Sequence, residues 1–267
     1  MILLSRIKGL ITSPQARAPR IAVFGDSHSV ALLRAQQYSK RTHEYEHIRV
    51  SRLRKDKNGK AVGDISLADF CRDIREFAES DFVFSAVGGN QYAIVSTVRP
   101  AIDYDFMLSP VDQLNDGAQL VPFRALAAFI DSGIRETVGP VLREIRSSTA
   151  ATVIHLAPPP PKQDNEFVAA HSEGYFAREG LQDFGPTRPE LRLKCWNVQL
   201  NCLRSLCNEL GIGLALPPRK TVTPHGYLDP GCYAKDVTHA NRRYGEAVLR
   251  QILSLTGAAS HGKVKSR

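Results

Sequence analysis

The sequence predicts an α/β domain built on a parallel sheet, and three observations carry that expectation. Short apolar runs alternate with longer helical patterns along the chain. Most of the runs are apolar throughout, as suits strands buried on both faces. Each ends on glycine, proline or a cluster of turn formers, and alternating units of this kind call for strand–helix–strand crossovers. With 267 residues, 43% of them hydrophobic and 23% charged, the chain can bury one sizeable core, so a single domain is expected.

Residues 20–24 (RIAVF) read as the first strand, closing on Gly25 in a tight turn, and 29–38 as a helix. A second strand is expected over 47–53, followed by a charged loop, RKDKNGKAVGD. Ser66 or Asp64 then caps a helix running to Glu79, because Leu67, Phe70, Ile74 and Phe77 share one face. The third strand is 81–87 (DFVFSAV), ending at Gly88-Gly89. A long helical pattern over 121–146 is interrupted near Gly139-Pro140. The fourth strand, 151–157 (ATVIHLA), stops at Pro158–Pro161. A helix over 189–210, a short fifth strand over 212–216 and a closing helix over 240–255 complete the domain, with no internal repeat. Two stretches lack clean periodicity. Segment 162–188 contains Phe167, Tyr175, Phe176 and Phe184 and suits a lid or insertion over a site, and 103–116 suits a similar role; a long structural loop is the alternative for either.

The net charge of +8 is concentrated at the ends. Residues 1–20 contribute +4 and 257–267 contribute +3, leaving +1 for the body, so no nucleic-acid-binding stripe is expected. The organisation read from this is an N-terminal arm (1–19), a domain (20–256) and a basic tail (257–267). The arm's apolar stretch is broken by Arg6 and Lys8, which is wrong for a signal peptide; a weak peripheral contact with a membrane surface is the alternative to a loosely docked arm. No apolar run is long enough to span a membrane. The five cysteines, at 71, 195, 202, 207 and 232, match no zinc spacing and no disulfide framework. They read as reduced thiols in a cytoplasmic protein, and no metal is expected.

Three clusters of reactive residues fall at predicted strand ends or the last helix entrance, where open parallel sheets place their chemistry. After the first strand comes Gly25-Asp26-Ser27-His28-Ser29. There Ser27 is either a helix cap or a nucleophile beside free backbone N–H groups. After the third comes Gly88-Gly89-Asn90, whose amide suits an oxyanion hole, though a plain glycine turn would look the same. Before the closing helix, Asp236 and His239 are three apart, so the carboxylate can fix the imidazole that takes the proton from Ser27. Each cluster alone has a structural explanation; the ordered set is far more specific.

Together the clusters resemble the sequence blocks of the SGNH (GDSL-like) hydrolases: Gly25-Asp26-Ser27 the first block, Gly88-Gly89-Asn90 the G-x-N block and Asp236–His239 the D-x-x-H block. The stretch Ala240–Gly245 also resembles the residues that often succeed that histidine, and the similarity spans residues 21–255. The resemblance implies a three-layer flavodoxin-like fold on about five parallel strands. It also implies ester hydrolysis or acyl transfer without cofactor, by a triad of Ser27, Asp236 and His239. Ser27 N–H and Asn90 would contribute to the oxyanion hole with a further glycine: Gly63, which precedes a helix start, or alternatively Gly59. Candidate pocket residues are His28, whose alternative is to face solvent, Gly89 and Gln91. Two departures stand out: Gln91 replaces a common Asp, and His28 replaces the usual Leu, a variant found among sugar-modifying relatives. The expected substrate is a small-molecule or carbohydrate ester, with removal of acyl, for instance acetyl, groups.

Other histidines are read structurally: His155 as a core residue, and His43, His47, His171 and His225 as surface residues. Asp26 and Asp229 lack the spacing to rival Asp236. Three other functions compete. An acyltransferase would use the same triad, and a non-catalytic binding module the same fold. A nucleotide-binding domain would use the first loop, but that loop lacks the glycine-rich phosphate patterns.

Overall fold

The computed structural model describes residues 17–39, 43–57, 60–109 and 113–257. Residues 1–16, Gly59 and 258–267 lie outside the described residues, and with them most of the predicted arm and tail. The elements in chain order are β1 (Ile21–Gly25), α1 (Ser29–Tyr38), β2 (Ile48–Arg52), β3 (Lys55–Lys57), β4 (Lys60–Val62), α2 (Leu67–Asp73), β5 (Phe82–Ala86) and α3 (Gln91–Ser96). Next come β6 (Tyr104–Asp105), β7 (Gln119–Leu120), α4 (Phe123–Thr137), α5 (Gly139–Ser147), β8 (Thr152–Leu156), α6 (Asn165–Ala170), α7 (Gly174–Arg178), α8 (Leu181–Phe184), α9 (Pro189–Glu209), β9 (Gly213–Ala215) and α10 (Arg242–Leu255).

The five expected strands form one sheet in the order β2-β1-β5-β8-β9, and every neighbouring pair is parallel. Side chains alternate across each strand, so the two faces take different residues. Ile21 and Val23 of β1 and Phe84 of β5 point to one face, where Leu32, Ala35, Tyr244 and Ile252 of α1 and α10 cover them. Ala22 and Phe24 of β1 and Val83 of β5 point to the other, against Phe70, Ile134, Leu142 and Leu206 of α2, α4, α5 and α9. Three layers result, as the apolar character of the strands requires. Each large side chain fully buried this way contributes about 1.5–3 kcal/mol. Gly245 lets α10 approach α1 backbone to backbone: a Cβ there would lie 2.0 Å from the Ala31 carbonyl oxygen.

Element boundaries obey local chemistry. Ser66, rather than Asp64, caps α2 by accepting the Asp69 N–H at 3.1 Å. The helix ends at Asp73 instead of Glu79, since Asp81 captures the Ala78 N–H at 2.9 Å and draws the chain into a turn. That same buried carboxylate accepts the Arg20 N–H at 2.7 Å and pairs with Arg17 and Arg20, so two of the N-terminal cations fasten the start of β1. Burial would raise its pKa, but these donors prevail and hold it at about 2. The expected 121–146 helix divides at Val138, where Pro140 cannot donate the next helical hydrogen bond. Segment 162–188 contains three short helices, α6, α7 and α8. All five cysteines are buried and unpaired. Among the described residues no helix is long and apolar enough to cross a membrane.

Candidate active site

The register of the sheet brings the reactive clusters together. Gly25 at the end of β1 pairs with Arg52 of β2 on one side and Ala86 of β5 on the other, so the loops after these three strands leave side by side. Gly25 has no room for a side chain: a Cβ would lie 2.9 Å from Ala86 Cβ, Ala86 O and Ser29 Cβ. Beyond it, the Asp26 carbonyl accepts both the Ser29 N–H (3.2 Å) and the Ser29 hydroxyl (2.7 Å), tightening the turn that presents Ser27 at the entrance of α1. The Asp26 carboxylate accepts the Gly88 N–H at 3.0 Å and so ties the first cluster to the second.

Gly88 and Gly89 adopt φ of +72° and +117°, conformations that suit glycine. Gly89 is also crowded, because a Cβ would lie 2.7 Å from Pro158 Cβ and 3.0 Å from His28 Nε2. Gln199, fully buried on α9, donates to the Gly89 carbonyl (3.0 Å) and accepts the Tyr92 N–H (2.9 Å), clamping the backbone on either side of Asn90. His28 Nε2 lies 3.3 Å from Asn90 Oδ1. Burial, seconded by the charge of His239, lowers the His28 pKa to about 4, so the ring is neutral near pH 7. In the tautomer with a proton on Nε2, it donates to Asn90 Oδ1 and leaves the Asn90 amide N–H groups free.

Asp236 and His239 are in direct contact. Asp236 Oδ1 accepts the backbone N–H groups of Thr238 (3.0 Å) and His239 (2.7 Å), and Oδ2 lies 3.0 Å from His239 Nδ1. Burial would raise the Asp236 pKa; its hydrogen bonds with His239 and the nearby Lys162 outweigh it and hold the carboxyl far below its usual range. The Lys162 side chain is 1% exposed. Its ammonium donates to the carbonyls of Ala234 (2.7 Å) and Asp236, sits 3.8 Å from Asp236 Oδ1, and lies over the rings of Phe167 and Tyr233. Burial lowers its pKa to about 8 against the opposing pull of Asp236.

With Nδ1 held by Asp236, His239 Nε2 is left buried and without a hydrogen-bond partner among the described residues. The ring centroid of His239 is 5.0 Å from that of His28, next to Ser27. Ser27 Oγ makes no hydrogen bond to Nε2, a contact that often tightens only when substrate is bound. Asp236, His239 and Asn90 wall a cleft of about 200 Å³ whose far side is Glu173, Tyr175 and Phe176 of the 162–188 segment. Ser27 walls a second cleft, of about 240 Å³, with Asp26, Arg52 and Lys55.

Gly63 has φ of +111°, and a Cβ there would lie 2.3 Å from Leu53 O, so its backbone packs on the end of β2 next to the first cluster. Its N–H and that of Ser27 have no acceptor among the described residues. Of the three predicted pocket residues, none lines either cleft. His28 faces a small cavity of about 20 Å³ with Leu32, Leu156 and Tyr244, because its ring turns inward to Asn90. Gly89 lies beneath that ring, and Gln91 donates to Thr137 at 2.8 Å on the side of α4. His155 is a core residue, 3.3 Å from the Ser85 hydroxyl, and burial lowers its pKa to about 4. Sequence reasoning misses two residues of the site, Lys162 and Gln199. Gln199 carries a signal, since it stands on the face of α9 that otherwise holds Cys195, Trp196, Cys202, Leu203 and Leu206. Lys162, directly after four prolines, carries none.

No family model and no curated protein matches the chain. Solved structures do. A GDSL-like lipase from Bacteroides thetaiotaomicron is 13% identical, with a TM-score of 0.44 over 91% of this chain and 89% of that one. A carbohydrate acetylesterase from Sinorhizobium meliloti is 12% identical, with a TM-score of 0.39 over 89% and 99%. An aryl esterase from M. smegmatis is 14% identical, with a TM-score of 0.44 over 89% and 100%.

Proposed function

We propose that the chain is a serine hydrolase that cleaves carboxylic esters through an acyl-enzyme on Ser27. The observation that carries this reading is the orientation of His239: Asp236 holds Nδ1, and Nε2 is buried, unpartnered and beside the turn that bears Ser27. An imidazole held in that way presents Nε2 to accept a proton from a donor.

In this reading His239 Nε2 takes the Ser27 hydroxyl proton as Oγ bonds to the ester carbonyl carbon. The charge on the former carbonyl oxygen is met by the N–H groups of Ser27 and Gly63 and the Asn90 amide, donors without partners among the described residues. As the carbon–oxygen bond to the alcohol breaks, His239 returns the proton to the departing oxygen. Water then attacks the acyl-enzyme with His239 again as base, releasing the acid and restoring Ser27. The half-exposed Tyr175 and the acidic Glu173 across the cleft from His239 suit a polyhydroxylated alcohol, since sugar faces pack on aromatic rings. An acylated carbohydrate is therefore the substrate class proposed.

Labelling with a fluorophosphonate tests the reading. Wild type is expected to label, and Ser27→Ala and His239→Ala to lose labelling together with about 10⁴-fold or more of the activity on short-chain aryl esters. A folded wild type that neither labels nor hydrolyses such esters would overturn it.

A further inference from the structure

Charge along the body of the chain is uneven at one place. Residues 21–256 are net +1, yet 52–60 alone hold five cations (Arg52, Arg54, Lys55, Lys57 and Lys60) against Asp56, a net +4. The remainder of the body is therefore net −3. The fold sets this basic stretch beside the nucleophile. Arg52, the last residue of β2, pairs in register with Gly25, two residues before Ser27, and Lys55 opens the β3–β4 hairpin immediately after it. Arg52 and Lys55 both line the cleft of about 240 Å³ that Ser27 walls, and Leu53 and Val62 form its apolar sides.

The two cations are differently engaged. Lys55 Nζ is 3.6 Å from Asp26 Oδ2, a carboxylate already accepting the Gly88 N–H. The half-buried Arg52 guanidinium forms no ion pair among the described residues. The nearby Asp64 carboxylate accepts the Arg52 backbone N–H through Oδ2, at 2.8 Å. A guanidinium with no ion-pair partner among the described residues, in a cleft that it shares with Lys55 and Asp26, is a ready partner for a carboxylate, which it can bind through two parallel hydrogen bonds.

The chemistry assigns a side to each half of the substrate. The departing alcohol oxygen must take its proton from His239, so the alcohol portion lies in the cleft that His239 walls. The acyl carbon, bonded to Ser27 Oγ, directs its chain into the cleft that Ser27 walls. We propose that this second cleft selects acyl groups ending in a carboxylate, with Arg52 as their anchor and Lys55 as a supporting cation. The preferred substrates are then monoesters of short dicarboxylic acids, hydrolysed to the alcohol and the free diacid. The inference rests on the acyl-enzyme reading above and adds to it the identity of the acyl group.

Two aryl esters separate the possibilities: 4-nitrophenyl butyrate and mono-4-nitrophenyl succinate share a four-carbon acyl chain and differ at its end, methyl against carboxylate. After correction for uncatalysed hydrolysis, wild type is expected to favour the succinate by about tenfold or more in kcat/KM at low salt. The preference should shrink as sodium chloride rises and collapse in Arg52→Gln. Lys55→Gln, at an exposed position, serves as a second variant and should reduce it partially. A wild type that treats the esters alike or prefers butyrate overturns the proposal, as does a preference untouched by either substitution. Turnover of butyrate with Ser27 labelling would leave the esterase reading standing in that case. Absence of turnover and of labelling would overturn both.

Discussion

The cleft that His239 walls and the cleft that Ser27 walls are built differently. On the His239 side the charges are paired and largely enclosed: Asp236 accepts three hydrogen bonds from the His239 segment, and Lys162 is buried beneath it between two aromatic rings. On the Arg52 side the Lys55 side chain, on the β3–β4 hairpin, is 58% exposed and pairs with Asp26 at 3.6 Å, while the Arg52 guanidinium at the end of β2 forms no ion pair among the described residues. The first arrangement fixes one imidazole in one orientation, which proton transfer demands. The second leaves cations available to a ligand. Under the proposals above, enclosure marks the groups that must not move, and exposure the groups assigned to substrate choice.

The comparison breaks most readily at Asp236. Asp236→Asn keeps the shape of the contact but removes the charge that orients Nδ1, and should lower kcat by about 10³–10⁴-fold with a smaller change in KM. An Asn variant within tenfold of wild type would show that the paired side does not govern the chemistry.

Lys162→Met comes next, since it retains an aliphatic stem and removes the ammonium. Misplacing Asp236 should cost about 10–100-fold in kcat. The groups facing this ammonium are Asp236, Tyr233 and the Phe167 ring, with Arg192 on the Lys162 carbonyl. The folded pKa of about 8 lies below the ordinary lysine value of 10.5, so the lysine loses its proton in the folded state first. Activity that depends on the ammonium should therefore fall as pH rises through about 8. Over the same window, from about 8 to 10.5, this group's contribution to stability should rise, because the unfolded chain binds more protons. An alkaline fall in kcat without a parallel fall in Tm, absent from a folded Lys162→Arg variant, is the expected signature.

Gln199→Leu sharpens the comparison from below the site. It strips the Gly89 carbonyl and Tyr92 N–H of their buried partner, at a cost of about 1–3 kcal/mol. Tm should drop by several degrees, and kcat should fall as Asn90 loosens. An unchanged Tm would mean that the clamp is dispensable. The smallest effect is expected from Lys55→Gln, a change of only a few-fold in the response of kcat/KM to salt with an anionic ester.

Much of the fold is written in residue types. Apolar runs closing on Gly25, Gly88 and Pro158 announce strands and their ends, because burial on both faces demands uniform apolarity and a turn demands residues that bend. Ser27, Asn90, Asp236 and His239 are legible because the chemistry proposed for them needs particular atoms at short, local spacings: a serine two residues past a strand, a carboxylate three residues before an imidazole. The end of α2 at Asp73 is not legible, since Asp81 decides it by capturing the Ala78 N–H from outside the helix.

The relations between the clusters are left to the tertiary structure. Parallel pairing sets Arg52 beside the turn that bears Ser27, although Arg52 lies 25 positions further along the chain. The inward rotation of His28 depends on Asn90, 62 residues away, and the burial of Lys162 on Asp236, 74 away. Residue type determines what a side chain can do and local spacing determines its element. Which of two faces it turns to, and which distant partner neutralises it, is an outcome of packing, settled only when the sheet closes and every buried charge must find its complement.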